Sequence, residues 1–383
     1  MAVWEYYILF YSFFVLLYLW YRYILLFITE LKKEKKYKTY NPFISVLIPF
    51  YNEQPNLLEK CVRSCLKANG NKEIIVVDDG SPDKSAYERL KSRNLPIKLL
   101  RYEKNKGKRH AQVFGLKHIK GDVIVTVDSD TIVKKDAIVN LVQPLGDPRV
   151  GATTGNVLAL NEKKNLLTKM IGARYWSAFN IERKSLSSFG IVTCCSGVLS
   201  AYKKSIFDLV KGKYISQKFL GSMCTYGDDR HLTNLFLELG YKIEYVETAL
   251  CYTNVPENYW EFIRQQLRWK KSFFRESLVT LSFSMKKNFL LSVEVIWNLL
   301  LPLLSLAVRV SIIFTVIFYP VLILPIATTI VTVAIIRNYF LILEDKKRGF
   351  YCLPYAFLHE FVLYWLYLIA LFTMKDVKWG TRS

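Results

Sequence analysis

Asp122-Val-Ile-Val-Thr-Val-Asp128-Ser129-Asp130 is an apolar run that ends in two acids at positions i and i+2. A short apolar run closed by turn-forming residues reads as a buried strand. Three similar runs precede it: Phe43 to Pro49, Glu73-Ile-Ile-Val-Val-Asp78-Asp79-Gly80-Ser81, and Pro96 to Arg101. Helical periodicity fills the gaps over Leu57 to Ala68 and Gly107 to His118. Strands alternating with helices predict an α/β domain on a mostly parallel sheet. Ligands of such sheets bind beyond the carboxyl ends of the strands. Two of the four strands deliver acids to that edge.

The flanks are of another kind. Residues 4–28 are almost wholly apolar, long enough to span a bilayer. Neither a basic start nor a cleavage site of small residues marks the stretch, so it reads as an anchor rather than a removed signal. Lys32-Lys33-Glu34-Lys35-Lys36-Tyr37-Lys38 follows and sets that end in the cytoplasm, with the N-terminus outside. Arg22 is expected to snorkel from the span toward the interface. After residues 257–287, a basic helical stretch expected to lie at a membrane surface, come apolar stretches at about 289–318, 321–343 and 354–373. His359-Glu360 near the middle of the last is costly in hydrocarbon. Two full spans are therefore expected, with 354–373 re-entrant or interfacial. The chain of 383 residues thus divides into a transmembrane helix (1–30), a basic linker (31–42), a catalytic α/β domain (43–256), interfacial helices (257–287), membrane-embedded helices (288–374) and a C-terminal segment (375–383).

A formal charge of +21 suits an anionic partner, and the apolar flanks favour a membrane face or a phosphorylated substrate over nucleic acid. The seven cysteines show no second Cys/His pair at ligand spacing, so they read as reduced thiols.

Five constellations carry chemistry. Asp128 and Asp130 point the same way from an extended segment and suit Mg2+ or Mn2+ with a diphosphate, or equally a solvated strand end. Asp79 ends a neighbouring strand, where an acid accepts from a base or ribose, or closes an Asp-Gly turn. Lys104, Lys106, Lys108 and Arg109 precede a helix and form an anion site, or a solvated loop. Gly227-Asp228-Asp229-Arg230-His231 precedes a short amphipathic helix expected over Leu232 to Leu239. An acid there is favoured in its ionised form and serves as a general base, or as an N-cap. Gln265, Arg268 and Trp269 share a helix face at i, i+3 and i+4, a diphosphate clamp beside a platform for a sugar ring, or an amphipathic interfacial helix, which would explain the Trp and Arg but not the Gln.

Together with Ile48-Pro49-Phe50-Tyr51-Asn52-Glu53, these motifs resemble the processive, inverting membrane glycosyltransferases of the GT-A fold, which include cellulose, chitin and hyaluronan synthases. The chain is most similar to hyaluronan synthase over Asn105 to Ala111, Trp176 to Arg183, Cys195-Ser196-Gly197, Gly227 to Asn234, Lys271 to Glu276 and Trp379-Gly380-Thr381-Arg382. One span precedes the catalytic stretch, where those synthases usually have two. The resemblance implies that Tyr51, Glu53, Asp79, Lys104, Lys108, Asp128, Gln265, Arg268 and Arg382 meet the nucleotide and its diphosphate. It implies Asp128 and Asp130 on the metal, and Asp229 as the base with Asp228 beside it. Trp269, Cys224 and Arg230 would hold the acceptor, and Trp379 and Thr381 would close a gating loop. The expected partners are UDP-sugars, the growing polysaccharide and the lipid bilayer, with no nucleic acid and a monomeric enzyme. The expected place is the plasma membrane, with the catalytic domain in the cytoplasm. The product expected is hyaluronan from UDP-GlcNAc and UDP-GlcA. The alternatives are a chitooligosaccharide or other exopolysaccharide, a sugar on polyprenyl phosphate, or, remotely, an inactive scaffold.

Overall fold

The computed structural model describes residues 3–32, 37 and 39–376. Trp379, Thr381 and Arg382, expected in a gating loop, lie outside the described residues. The chain forms two compact units. One holds residues 31–161 and 186–254, the other residues 1–30, 162–185 and 255–383.

The first of these is built on an eight-stranded mixed sheet. Its strands are β1 (Ile44–Phe50), β2 (Lys72–Asp78), β3 (Lys98–Arg101), β4 (Val123–Val127), β5 (Thr131–Val133), β6 (Val150–Ala159), β7 (Leu199–Lys203) and β10 (Lys242–Thr253). A two-stranded hairpin, β8 (Lys218–Phe219) with β9 (Ser222–Met223), stands apart. The order across the sheet is β3-β2-β1-β4-β7-β6-β10-β5. β3, β2, β1 and β4 run parallel, as the four apolar runs predict. β7 is antiparallel to both β4 and β6. β1 is buried at every position, which is why it reads as one continuous apolar run. Each fully buried Val, Ile or Leu of these strands contributes roughly 1.5–3 kcal/mol.

The second unit carries four helical stretches long and apolar enough to cross a membrane: Ser12–Leu31, Phe289–Phe318, Pro320–Arg337 and Lys346–Phe372. Arg22 does not snorkel. It is buried and paired with Glu294 of the helix Phe289–Phe318. The carboxylate answers the buried charge, and removing either partner of such a pair is costly. Glu360 likewise pairs with Arg309, which offsets the cost of an acid in the last apolar stretch.

The helix Tyr259–Lys287, expected at a membrane surface, buries three of its basic side chains. It packs on Phe289–Phe318 and Leu366–Phe372, and Lys270, Lys271 and Arg275 are buried. Residues 162–185, expected inside the catalytic domain, also belong to this unit. The helix Leu166–Ser177 is apolar nearly all round and buries most of its surface. Arg348 clamps Glu162 at 2.8 and 3.0 Å, Ser177 donates to Asn338 at 2.6 Å, and Glu182 accepts from Arg174 and Arg337.

Candidate active site

Sheet register brings the acids of the first unit together. Val127 at the end of β4 pairs with Leu199 at the start of β7. The Asp128 amide then donates to the Val198 carbonyl at 3.4 Å, which seats the turn Cys195-Ser196-Gly197 beside Asp128. The same turn is tied to the helix Asp228–Glu238. The Cys195 amide donates to Thr233 Oγ1 at 2.9 Å, and that hydroxyl donates to the Asp229 carbonyl at 2.6 Å.

Gly197 marks the point of closest approach. A Cβ there would lie 2.7 Å from Lys108 Nζ and 2.8 Å from Asp229 Oδ1. Lys108 Nζ in turn donates to Asp128 Oδ1 at 2.6 Å. One ammonium therefore faces acids from two distant parts of the chain.

The helix begins at Asp228, four residues before Leu232, so both acids sit in its first turn. The sequence favours the ionised form of Asp229, and its surroundings weaken that preference. Burial pushes its pKa up to about 6; Lys108 and the Gly197 amide pull it down, and Asp128 and Asp228 add to the rise. That is the range a general base needs near neutrality. Lys108 moves the opposite way: burial opposes its charge, but Asp128, Asp229 and Asp228 overcome it and hold the ammonium protonated.

Asp228 is placed differently from its neighbour. Its carboxylate pairs with Arg109 at 3.1 Å, and both side chains are 5% exposed. Arg109 also donates to the Tyr214 carbonyl, Gln217 Oε1 and the Tyr226 carbonyl. This network shapes the turn before the helix. Of the four cations expected to form an anion site, Arg109 is thus committed to structure, Lys106 lies over the Tyr102 ring at 4.7 Å, and Lys104 is exposed.

Asp79 is buried and accepts from the amides of Lys106 and Gly107 at 2.9 and 2.8 Å. It already supplies the anion for which those amides are poised, and each oxygen keeps a lone pair for a further donor. Burial raises its pKa. Gly80 next to it has φ +72°, and a Cβ there would strike the backbone of Lys104 and Asn105, so only glycine lets this loop close. Asp78 is fully buried and pairs with Arg101.

Asp130 accepts from Thr253 Oγ1 at 3.1 Å, and Glu53 accepts from Ser129 Oγ at 2.6 Å. Burial, then Asp128 and Glu53, push the pKa of Asp130 up to about 7. Crowded carboxylates of this kind are relieved by a divalent cation. Among the described residues no three Asp, Glu, His or Cys side chains stand at chelating distance. The fit is thus to an ion held by Asp128 and Asp130 and completed by a diphosphate, as Mg2+ commonly is. Tyr51 is half-buried just after β1, Cys224 is buried beside the hairpin with its amide donating to Gln217, and Arg230 is half-buried in the first turn of the helix.

Gln265, Arg268 and Trp269 belong to the other unit. There they share one continuous helix, with Trp269 43% exposed and the Gln265 Oε1 buried without a hydrogen-bond partner among the described residues. Arg109, Thr233, Thr253 and Gly197 carry the geometry without standing out in the sequence for these roles, because their partners lie dozens of residues away.

Comparison with known proteins agrees with this layout. The family model for glycosyl transferase family 2 matches residues 45–210. An N-acetylglucosaminyltransferase of Azorhizobium caulinodans is 34% identical over 355 residues, covering 89% of this chain and 88% of its own. A hyaluronan synthase of Streptococcus pyogenes is 34% identical over 376 residues, covering 91% and 85%. Among solved structures, a mannosyltransferase from Pyrobaculum calidifontis in complex with GDP-Man and Mn2+ superposes with TM-score 0.62 at 20% identity, over 94% of this chain and 98% of that one. That likeness shows the fold, which is GT-A. A relative matched along nearly its whole length, and a family model seated over the strands that bear the acids, make this chain a member of glycosyltransferase family 2.

Proposed function

We propose that the protein is a processive, inverting glycosyltransferase that polymerises UDP-GlcNAc with UDP-GlcA, as a hyaluronan synthase does. The UDP-sugar binds at the carboxyl edge of the sheet, with Tyr51, Glu53 and Asp79 toward the nucleoside and Lys104 or Lys108 toward the diphosphate. Asp128 and Asp130 would hold Mg2+ or Mn2+, which would supply positive charge beside the diphosphate. The Asp229 carboxylate takes the proton of an acceptor hydroxyl. That oxygen bonds to the anomeric carbon as the bond from carbon to the UDP oxygen breaks, and the configuration inverts. Lys108 stabilises the negative charge that grows on UDP, the kind of effect that usually dominates such catalysis. Asp228 holds the turn through Arg109. Cys224 and Arg230 receive the acceptor; on the helix Tyr259–Lys287, Trp269 offers a sugar ring a flat face, with Gln265 and Arg268 beside it.

The observation that carries this reading is the meeting of Lys108, Asp128 and Asp229 around Gly197. A second reading, chitooligosaccharide synthesis from UDP-GlcNAc alone, is supported as well by the likeness to an N-acetylglucosaminyltransferase. Purified protein given labelled UDP-GlcNAc and UDP-GlcA, singly and paired, separates the two. Polymer that needs both donors and yields to hyaluronidase supports the first, and product from UDP-GlcNAc alone that yields to chitinase supports the second.

In the membrane we place the N-terminus outside, and the catalytic unit and residues 375–383 in the cytoplasm. Residues 354–373 then enter the bilayer without crossing it, and the polymer leaves between the helices.

A further inference from the structure

The unit that holds the apolar helices buries many cations, and almost every one has an acid. Lys271 pairs with Asp376 at 2.9 Å, Arg275 with Glu276 at 3.0 Å, Arg22 with Glu294 and Arg309 with Glu360. Lys270 is the exception. Its residue is 7% exposed, and among the described residues it has neither a hydrogen bond nor a carboxylate. Its ammonium lies 3.5 Å from the centre of the Tyr367 ring. The cations whose fields reach it, Arg174 and Arg337, share the single carboxylate of Glu182. Three cations with one acid leave a local excess of positive charge. Burial, then those two guanidiniums, push the pKa of Lys270 down to about 7, while His359 also feels its charge. A buried amine without a counter-ion is costly unless an anion visits it.

We infer that Lys270 and Tyr367 form a subsite for the carboxylate of a uronic acid in the growing chain, and that this subsite favours an acidic polymer over a neutral one. The inference rests on the reading that the chain is a polysaccharide synthase. Trp269, the proposed acceptor platform, is the preceding residue on the same helix. An ammonium over an aromatic ring offers a sugar acid both a counter-charge and a flat apolar face. The subsite bears on specificity and takes no part in the proton transfer.

The test uses the full-length protein in nanodiscs, supplied with UDP-GlcNAc and UDP-GlcA carrying different labels. Wild type is compared with Lys270→Met, which keeps the length of the side chain, and Lys270→Arg, which keeps the charge. The expected result is a fall of about tenfold in the ratio of glucuronate-containing to GlcNAc-only product for Lys270→Met, as for loss of a charge-assisted contact, with the ratio recovered in Lys270→Arg. An unchanged ratio in Lys270→Met, including one in which both products fall together, overturns the subsite. A fall seen only in nanodiscs with anionic lipid assigns the site to a phospholipid headgroup and also overturns it. Wild type that incorporates no glucuronate removes the hyaluronan reading itself, a result read without any variant.

Discussion

Lys108 Nζ lies 2.6 Å from Asp128 Oδ1, and the same ammonium lowers the pKa of Asp229. One cation therefore links the proposed diphosphate site to the proposed base. With Asp229 near 6, transfer needs the ionised form, so the rate rises as pH climbs through about 6. Lys108→Met removes a charge that favours that form. Its acid limb should move to higher pH, and its apparent affinity for UDP-sugar should fall. A pH–rate profile with an unmoved limb would separate Lys108 from Asp229.

Gly197→Ala is a test of space alone. The added Cβ would stand 2.7 Å from Lys108 Nζ and 2.8 Å from Asp229 Oδ1, so one of them must shift. A misplacement of this size costs about 100-fold in rate. Transfer should drop by that order while thermal unfolding stays close to wild type.

The adjacent acids should behave oppositely under denaturation. Asp228→Ala leaves the buried charge of Arg109 without its carboxylate, which costs about 3–5 kcal/mol. Asp229 has a folded pKa above its ordinary value, so the fold favours its protonated form more than the unfolded chain does, and that stability is lost as pH rises through about 6. Asp229→Asn should therefore hold or raise the unfolding temperature at pH 7. Equal losses in the two variants would contradict the division of roles.

Much of this was legible. The strands β1, β2 and β4 announce themselves because both faces are largely buried and most positions are free to be apolar, while β3 at the sheet edge shows only a short apolar pair. The other half of the sheet is hidden by its own polarity. β6 is Val150-Gly-Ala-Thr-Thr-Gly-Asn-Val-Leu-Ala159, yet Thr153 and Thr154 are fully buried because Leu141 and Leu199 supply carbonyls for their hydroxyls. No run of hydrophobicity marks such a strand. The helix carrying Asp229 starts early for a similar reason: its first turn is polar and spent on Arg109 and the turn at Gly197. The motif acids are visible one by one, but their meeting depends on β7 lying between β4 and β6, which no local pattern encodes. Arg22 was misread because its partner, Glu294, is 272 residues away.

Topology gives a further prediction. A single cysteine at Lys375, in a background without reactive thiols, should react with an impermeant maleimide only after the membrane is opened. Labelling of intact cells would mean that Lys346–Phe372, long and apolar enough to cross, does cross.

The most direct measurement is transfer by Asp229→Asn at saturating UDP-sugar and divalent cation, alongside UDP binding by calorimetry. A general base at position 229 predicts transfer lost by at least about 100-fold with UDP bound nearly as in wild type. Transfer near the wild-type rate would contradict it.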